Sequence, residues 1–472
     1  MFIGRQRELA AMQQRYARNH FECVVIYGRR RVGKTALIRE FCREKRTLFF
    51  TGLETTAKEN LQNLSQSIYE AQGGTGTAPV YADFSAALTA ITALAQKEKL
   101  VLVIDEYPYL AKAYPGISSL LQVIMDHTWQ AMNLFVILCG SSMSFMERQV
   151  LGHTSPLFGR RTAQIKLQPF DIFATRAFFP SLPLNDVAVL YGATGGIPFY
   201  LAQMDGQSSL ADNLIRMFFD PLGYLFEEPA NLLKQELREP ATYNAILQAI
   251  ADGRTKVSQI ATAVGIEVSA CTGYLKNLMA LGIVQRETPL GEKQSKRSIY
   301  LLQDSLFRFW YRFVPQHYSM IQNGMGEAVY QRIEKDLPVF MGQVFERICL
   351  DWLWRKNRTG RLPLLFEEVG RWWGTDPRQK RQTEIDILAQ NSAHEMLFCE
   401  CKWRNEPLDS DVLDLLIARS ELFPAQKKYY ILFAKSSFSA RCQRKAATMA
   451  NIRLVTFNQM MEISSQTVKT LD

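Results

Sequence analysis

The sequence predicts an α/β chain in three folded parts: a helix-covered parallel sheet, a three-helix module with a two-stranded wing, and a second α/β domain. Three observations predict it. Through the first 205 residues, short apolar runs alternate with stretches of helical spacing, the order of a parallel sheet with helices on both faces. Residues 240–303 hold three amphipathic helical stretches and then two β-prone runs around a basic turn. Beyond residue 335, apolar runs carry charged residues two positions apart, which on a strand share one face. The expected parts are 1–205, a helical linker or lid over 206–239, the module over 240–315, and the last domain over 335–472.

In the first part, Cys23-Val-Val-Ile-Tyr27 reads as a strand and Ala36-Leu-Ile-Arg-Glu-Phe-Cys42 as a helix. Between them Gly28-Arg-Arg-Arg-Val-Gly33-Lys34-Thr35 fits the pattern G-x-x-x-x-G-K-[ST]. Backbone N–H groups from Gly28, Arg29, Arg30, Arg31, Val32, Gly33, Lys34, Thr35 and Ala36 are expected to cradle phosphates, helped by the dipole of the following helix. Lys34 would reach the β- and γ-phosphates, and the Thr35 hydroxyl would ligate Mg²⁺. Further strands are expected at Thr47–Gly52, Leu100–Asp105, Leu134–Gly140 and Thr162–Leu167, with helices around 57–71, 83–97, 117–131 and 170–180. Leu100-Val-Leu-Val-Ile-Asp105-Glu106 is a continuous apolar strand ending in two carboxylates, as a buried parallel strand should look. Asp105 is expected to hold Mg²⁺ through its waters, and Glu106 to polarise an attacking water. A lone carboxylate there would be a solubilising charge; paired with a phosphate loop, the two read as an ATP-hydrolysing site.

This region resembles the archaeal-type ATPase family within the signal-transducing (STAND) branch of the AAA+ superfamily. Phe2-Ile-Gly-Arg5-Gln-Arg-Glu-Leu9 is similar to the family's segment beside the adenine, and Ser141-Ser142 to its polar sensor of the γ-phosphate. Gly159-Arg160-Arg161 matches the place of a conspicuous family arginine, and Gly195-Gly196-Ile-Pro198 the Gly-x-Pro signature that implies Pro198 near the nucleotide. An Arg160 that stabilises charge on a neighbour's nucleotide would require a homo-oligomer. The plain alternative is a solvated arginine pair at a strand start.

In the middle, Thr242–Ile250, Val257–Val264 and Ser269–Leu281 are helical, and Ile283–Glu287 and Arg297–Leu302 flank the turn Gly291-Glu-Lys-Gln-Ser-Lys-Arg297. This is the winged-helix pattern, with the third helix as candidate reader of a DNA groove. Lys276 is the only charge on that helix, while Lys293, Lys296 and Arg297 lie on the wing. The module serves equally as a lid packed on protein.

In the last part, Thr383–Ala389 and Met396–Trp403 read as strands. Glu400 and Lys402 point to one face, and Cys399, Cys401 and Trp403 to the other. Glu346 sits on an upstream, largely apolar helix. Asp386, Glu400, Glu346 and Lys402 fill the four signature positions of the PD-(D/E)XK nuclease-like superfamily, which this part resembles. It is similar, more narrowly, to the C-terminal domain of unknown function fused to archaeal-type ATPases. The resemblance implies Mg²⁺ or Mn²⁺ on Glu346, Asp386 and Glu400, and Lys402 as the residue that activates water. Ile385 stands where the motif usually has proline. The alternative is a structural salt bridge. Gly370-Arg-Trp-Trp-Gly-Thr-Asp-Pro-Arg-Gln-Lys-Arg381 mixes two tryptophans with four basic side chains ahead of the acidic strand, with one tryptophan expected inside and the basic turn facing substrate.

Composition sets the class. The 472 residues are 47% hydrophobic and 21% charged, an ordinary globular balance, and the formal charge of +9 permits a polyanionic partner. No apolar stretch approaches the ~20 residues of a membrane helix, and Met1-Phe-Ile-Gly-Arg is not a signal peptide. The eight cysteines lack C-x-x-C spacing and read as reduced thiols of a cytoplasmic protein. Three functions fit: ATP-driven action on DNA with cleavage, a nucleotide-dependent switch that binds a protein or DNA partner, and a winged-helix transcription regulator.

Overall fold

The computed structural model describes residues 2–292 and 297–467. The chain divides into two compact units. One runs to Phe170 and takes in Ile197–Tyr200; the other holds Asp171–Gly196 and the chain from Leu201 onward.

The first unit is built on β1 (Glu22–Tyr27), β2 (Thr47–Thr51), β3 (Leu100–Asp105), β4 (Leu134–Gly140) and β5 (Ala163–Lys166), in the order β2-β3-β4-β1-β5. All four pairings are parallel. Every residue of β1, β3 and β4 is buried, which explains why these strands read as unbroken apolar runs instead of alternating ones. Their two faces are covered by different helices. Val25, Leu102, Ile104, Val136 and Leu138 share a core with the helices Ala57–Ala71, Phe84–Lys97 and Ile117–His127. On the opposite face Phe135 packs against Phe41 and Tyr16, from the helices Lys34–Cys42 and Gln6–Tyr16. The loops at the C-terminal ends of β1, β3 and β4 therefore open at one edge of the sheet, where ligands bind in folds of this class.

The second unit begins with helices that include Leu210–Phe218 and Glu228–Glu236. The winged helix follows: helices Pro240–Ala251, Val257–Val264 and Val268–Ala280, then β6 (Val284–Glu287) paired antiparallel with β7 (Ile299–Leu302). Cys271, Leu275 and Leu278 of its third helix are buried and Lys276 is exposed. Lys293 and Lys296 lie outside the described residues. Arg297 is engaged within the unit: it donates to Trp373 O at 2.9 Å and pairs with Glu292.

The rest of the unit is a mixed sheet in the order β12-β11-β10-β9-β8, made of β8 (Glu368–Asp376), β9 (Arg381–Gln390), β10 (Glu395–Lys402), β11 (Lys427–Ala434) and β12 (Ile452–Thr456). Its β8–β9 and β9–β10 pairings are antiparallel, and β10–β11 and β11–β12 are parallel. Met396 and Phe398 face a core shared with the helix Ser410–Ser420, while Trp403 packs on Phe345 of the helix Leu337–Arg358. The alternation expected for β10 is thus realised. The two tryptophans lie on the edge strand Glu368–Asp376, which has an irregularity between Gly370 and Trp372, and residues 377–380 form the turn into β9. Trp372 stacks edge-on against Phe423, and both tryptophans are half-buried. Among the described residues no helix is long and apolar enough to cross a membrane, and all eight cysteines are free.

Candidate functional site

At the C-terminal edge of the first sheet, β1 delivers the chain into the loop of residues 28–33. A Cβ on Gly28 would lie 2.5 Å from Leu167 O, so only glycine fits there. Gly33 takes φ +90°, a left-handed conformation that turns the loop into the helix starting at Lys34. Val32 is fully buried and pins the loop from below. Lys34 is buried, its Nζ donating to Gly28 O and Arg29 O at 3.0 Å each, and burial lowers its pKa. A lysine held against two carbonyls of its own loop is poised to exchange them for phosphate oxygens.

The Thr35 hydroxyl donates to Asp105 Oδ2 at 3.0 Å, and Asp105 Oδ1 accepts the Glu106 N–H at 3.0 Å. Glu106 itself sits at φ +47°, an uncommon conformation for this residue type that carries strain. Its carboxylate accepts the Ser141 hydroxyl at 2.8 and 2.9 Å. Lys34, Thr35, Asp105, Glu106 and Ser141 therefore converge from three strand ends. A hydroxyl and a carboxylate side by side are hard oxygen donors, so Thr35 and Asp105 fit Mg²⁺.

Around the loop, Arg30 donates to the Tyr109 hydroxyl at 3.0 Å, and Arg31 donates to the Tyr200 hydroxyl at 3.2 Å while lying over Phe199. Pro198 Cγ lies 3.9 Å from where a Cβ on Gly33 would stand, so Pro198 is placed against the phosphate loop. Arg5 of the N-terminal segment donates to Val32 O at 3.0 Å. Ala36 is exposed in the first turn of the helix. Arg160 is placed differently. Its guanidinium pairs with Asp126 at 2.7 and 2.9 Å and donates to Pro156 O and Phe158 O.

The second cluster lies on β9, β10 and the flanking helices. Lys402 Nζ is 2.6 Å from Glu400 Oε1 and 3.6 Å from Asp386 Oδ2, so the three residues do meet. Asp386 Oδ2 also accepts the Cys401 N–H at 2.8 Å. Burial raises the Glu400 pKa, and Asp386 adds to it. Burial would lower the Lys402 pKa, but Asp386 and Glu400 outweigh it and raise it. Glu346 titrates at about 7, through burial first and Asp386 second. Arg419 Nη1 lies 3.3 and 3.2 Å from the two Glu400 oxygens. Among the described residues no three His, Cys, Asp or Glu side chains gather as a metal site. As folded, the Glu346, Asp386 and Glu400 set does not fit a divalent ion, because Lys402 already sits on Asp386 and Glu400, and Arg419 on Glu400.

Three family models match. Residues 2–204 match an ATPase domain predominantly from Archaea, residues 244–285 a winged helix-turn-helix DNA-binding model, and residues 310–413 a family of archaeal and bacterial proteins of unknown function. An uncharacterized protein of Methanocaldococcus jannaschii is 32% identical over 442 residues, which cover 92% of this chain and 96% of that protein. The chain belongs to the archaeal-type ATPase family. An uncharacterized ATP-binding protein of the same organism is 41% identical over 46 residues, 10% of this chain and 78% of that protein. The Walker-type ATPase of Pyrococcus abyssi has the same fold, with a TM-score of 0.51 at 19% identity over 66% of this chain and 96% of that one. This archaeal-type ATPase is a P-loop ATPase.

Four residues of its two clusters escaped the sequence reading. Tyr109 and Tyr200 touch the loop arginines, and Arg371 and Arg419 touch the acidic cluster. Arg419 follows Glu400 by 19 positions and reaches it only because the helix Ser410–Ser420 packs across β10. No periodicity or motif announces such a contact.

Proposed function

We propose that this archaeal-type ATPase acts on DNA, with nucleotide turnover in the first unit and DNA held by the winged helix of residues 240–315. The observation that carries the turnover is the Lys34 ammonium held against Gly28 O and Arg29 O beside the Thr35–Asp105 and Ser141–Glu106 pairs. Lys34 leaves its two carbonyls for the phosphates and neutralises charge that develops on the transferred group. Mg²⁺ held by Thr35 and Asp105 would supply further charge neutralisation. Glu106 orients the attacking water, and Ser141, bonded to Glu106, senses whether the γ-phosphate is present. Residues 28–36 with Pro198 hold the nucleotide. Eight free thiols support a reducing, cytoplasmic setting.

The exposed N-terminal half of the helix Val268–Ala280 supports DNA contact: Val268, Ser269, Ala270, Thr272, Gly273 and Lys276 all face solvent. A gel shift of duplex DNA at increasing salt tests it. Binding that falls steeply with salt supports the reading, and no binding at low salt refutes it.

The convergence of Asp386, Glu400 and Lys402 favours a second, finer reading, phosphodiester cleavage in the second unit. Plasmid nicking that is lost in Asp386→Ala tests it. Partner binding that depends on ATP and survives loss of Glu400 and Lys402 would instead support the switch, whether the partner is protein or DNA.

A further inference from the structure

We propose that Arg419 is a resident cation of the Asp386–Glu400 cluster and keeps a divalent metal off Glu400. The inference builds on the cleavage reading in treating the cluster as a phosphodiester site, while its test reads metal affinity alone.

Arg419 stands in the last turn of the helix Ser410–Ser420, whose Leu413 and Leu416 are fully buried in the core under β9, β10 and β11. The next residue, Ser420, is also buried and shares a hydrogen bond with the Tyr430 hydroxyl at 2.9 Å. The guanidinium is therefore delivered by a fixed element. It spans both oxygens of Glu400 at 3.2 and 3.3 Å, while Lys402 takes Oε1 at 2.6 Å. Lys402 and Arg419 then sit on Glu400, and Lys402 on Asp386, so both carboxylates are already paired. A dication entering there meets two positive groups at contact distance, and among the described residues no three His, Cys, Asp or Glu side chains gather to form its shell.

A second observation shows that the arginine's donors are not all used. Its Nε is buried and has no hydrogen-bond partner among the described residues. A guanidinium carries five donors in a rigid fork that matches phosphate bidentately. An incoming phosphodiester would offer Arg419 further acceptors beside Glu400.

The test is Mn²⁺ titration of the full chain without nucleotide, with free Mn²⁺ read by electron paramagnetic resonance. Arg419→Gln removes the charge, Arg419→Lys keeps it, and Arg419→Gln with Asp386→Asn removes a ligand of the proposed site. Arg419→Gln should bind one Mn²⁺ at least about tenfold more tightly than wild type, since a contact charge beside buried carboxylates is worth that much. Arg419→Lys should show no gain, and the double variant should lose it. Equal affinity in wild type and Arg419→Gln overturns the proposal, as does a gain that persists without Asp386. Should Arg419→Gln fail to fold, a wild-type chain that holds an Asp386-dependent Mn²⁺ at about 10 µM or tighter overturns it equally. An Arg419→Gln gain without nicking of plasmid by either protein removes the cleavage reading and leaves this inference standing.

Discussion

Lys34 and Glu106 have different tasks in one cradle, and their substitutions should separate. Lys34→Ala removes the ammonium bonded to Gly28 O and Arg29 O and should lower ATP hydrolysis by about 10³-fold or more. Glu106→Gln keeps a side chain that still reaches Ser141, so ATP binding should survive while turnover stalls; steady-state hydrolysis beside equilibrium nucleotide binding checks both. A Glu106→Gln protein that turns over at the wild-type rate removes the role given to that carboxylate. In the second unit Glu346 offers a pH test. Burial, with Asp386 behind it, places its folded-state pKa at about 7, whereas an unfolded chain titrates glutamate near about 4.3. The protonated form therefore stabilises the fold fully below about pH 4.3, and that contribution, of order 3 kcal/mol, is lost as pH rises through 7. Glu346→Gln should raise thermal stability relative to wild type at pH 8 and change it little at pH 5. Equal stability of the two proteins at pH 8 would contradict the burial assigned to this carboxyl.

At the scale of elements, the loop after β1 depends on close backbone approach. Gly28→Ala sets a Cβ 2.5 Å from Leu167 O, a backbone atom that cannot rotate away, so loop or strand must shift. Loss of nucleotide binding with about 1–3 kcal/mol of destabilisation is expected by calorimetry. The phosphate loop and the strands of the first sheet were legible in the sequence because a buried parallel strand is a continuous apolar run and the loop is a contiguous pattern. Glu400 and Lys402 were legible for a similar reason, since two-residue spacing on β10 puts them on one face. The strand β8 was not. Gly370 and Gly374 imitate a turn, yet Gly374 is needed because a Cβ there would strike the Arg297 guanidinium and the Trp372 ring. Arg371 and Arg419 were equally hidden, because their partners arrive by packing across the sheet. The wing, whose basic residues left DNA contact and packing on protein equally open, gives Arg297 to Trp373 O and the Leu290 N–H to Arg371 O at 3.0 Å.

For the whole molecule, each unit closes on its own core and holds one of the two clusters. Asp386→Ala should therefore leave ATP hydrolysis within about twofold of wild type, since it removes no group of the phosphate cradle. A homo-oligomer in which Arg160 acts on a neighbour's nucleotide requires the Asp126 pair to open. Mixing Arg160→Ala with Lys34→Ala protein should then recover hydrolysis that neither shows alone, and no recovery would confine Arg160 to its bond with Asp126. ATP turnover at Lys34 is proposed to serve DNA. Its most direct measurement is the steady-state rate of phosphate release by the full chain, with and without duplex DNA, beside Lys34→Ala. Hydrolysis that rises severalfold with DNA and vanishes in Lys34→Ala is the predicted result; a rate indifferent to DNA, or one that survives the loss of Lys34, would contradict it.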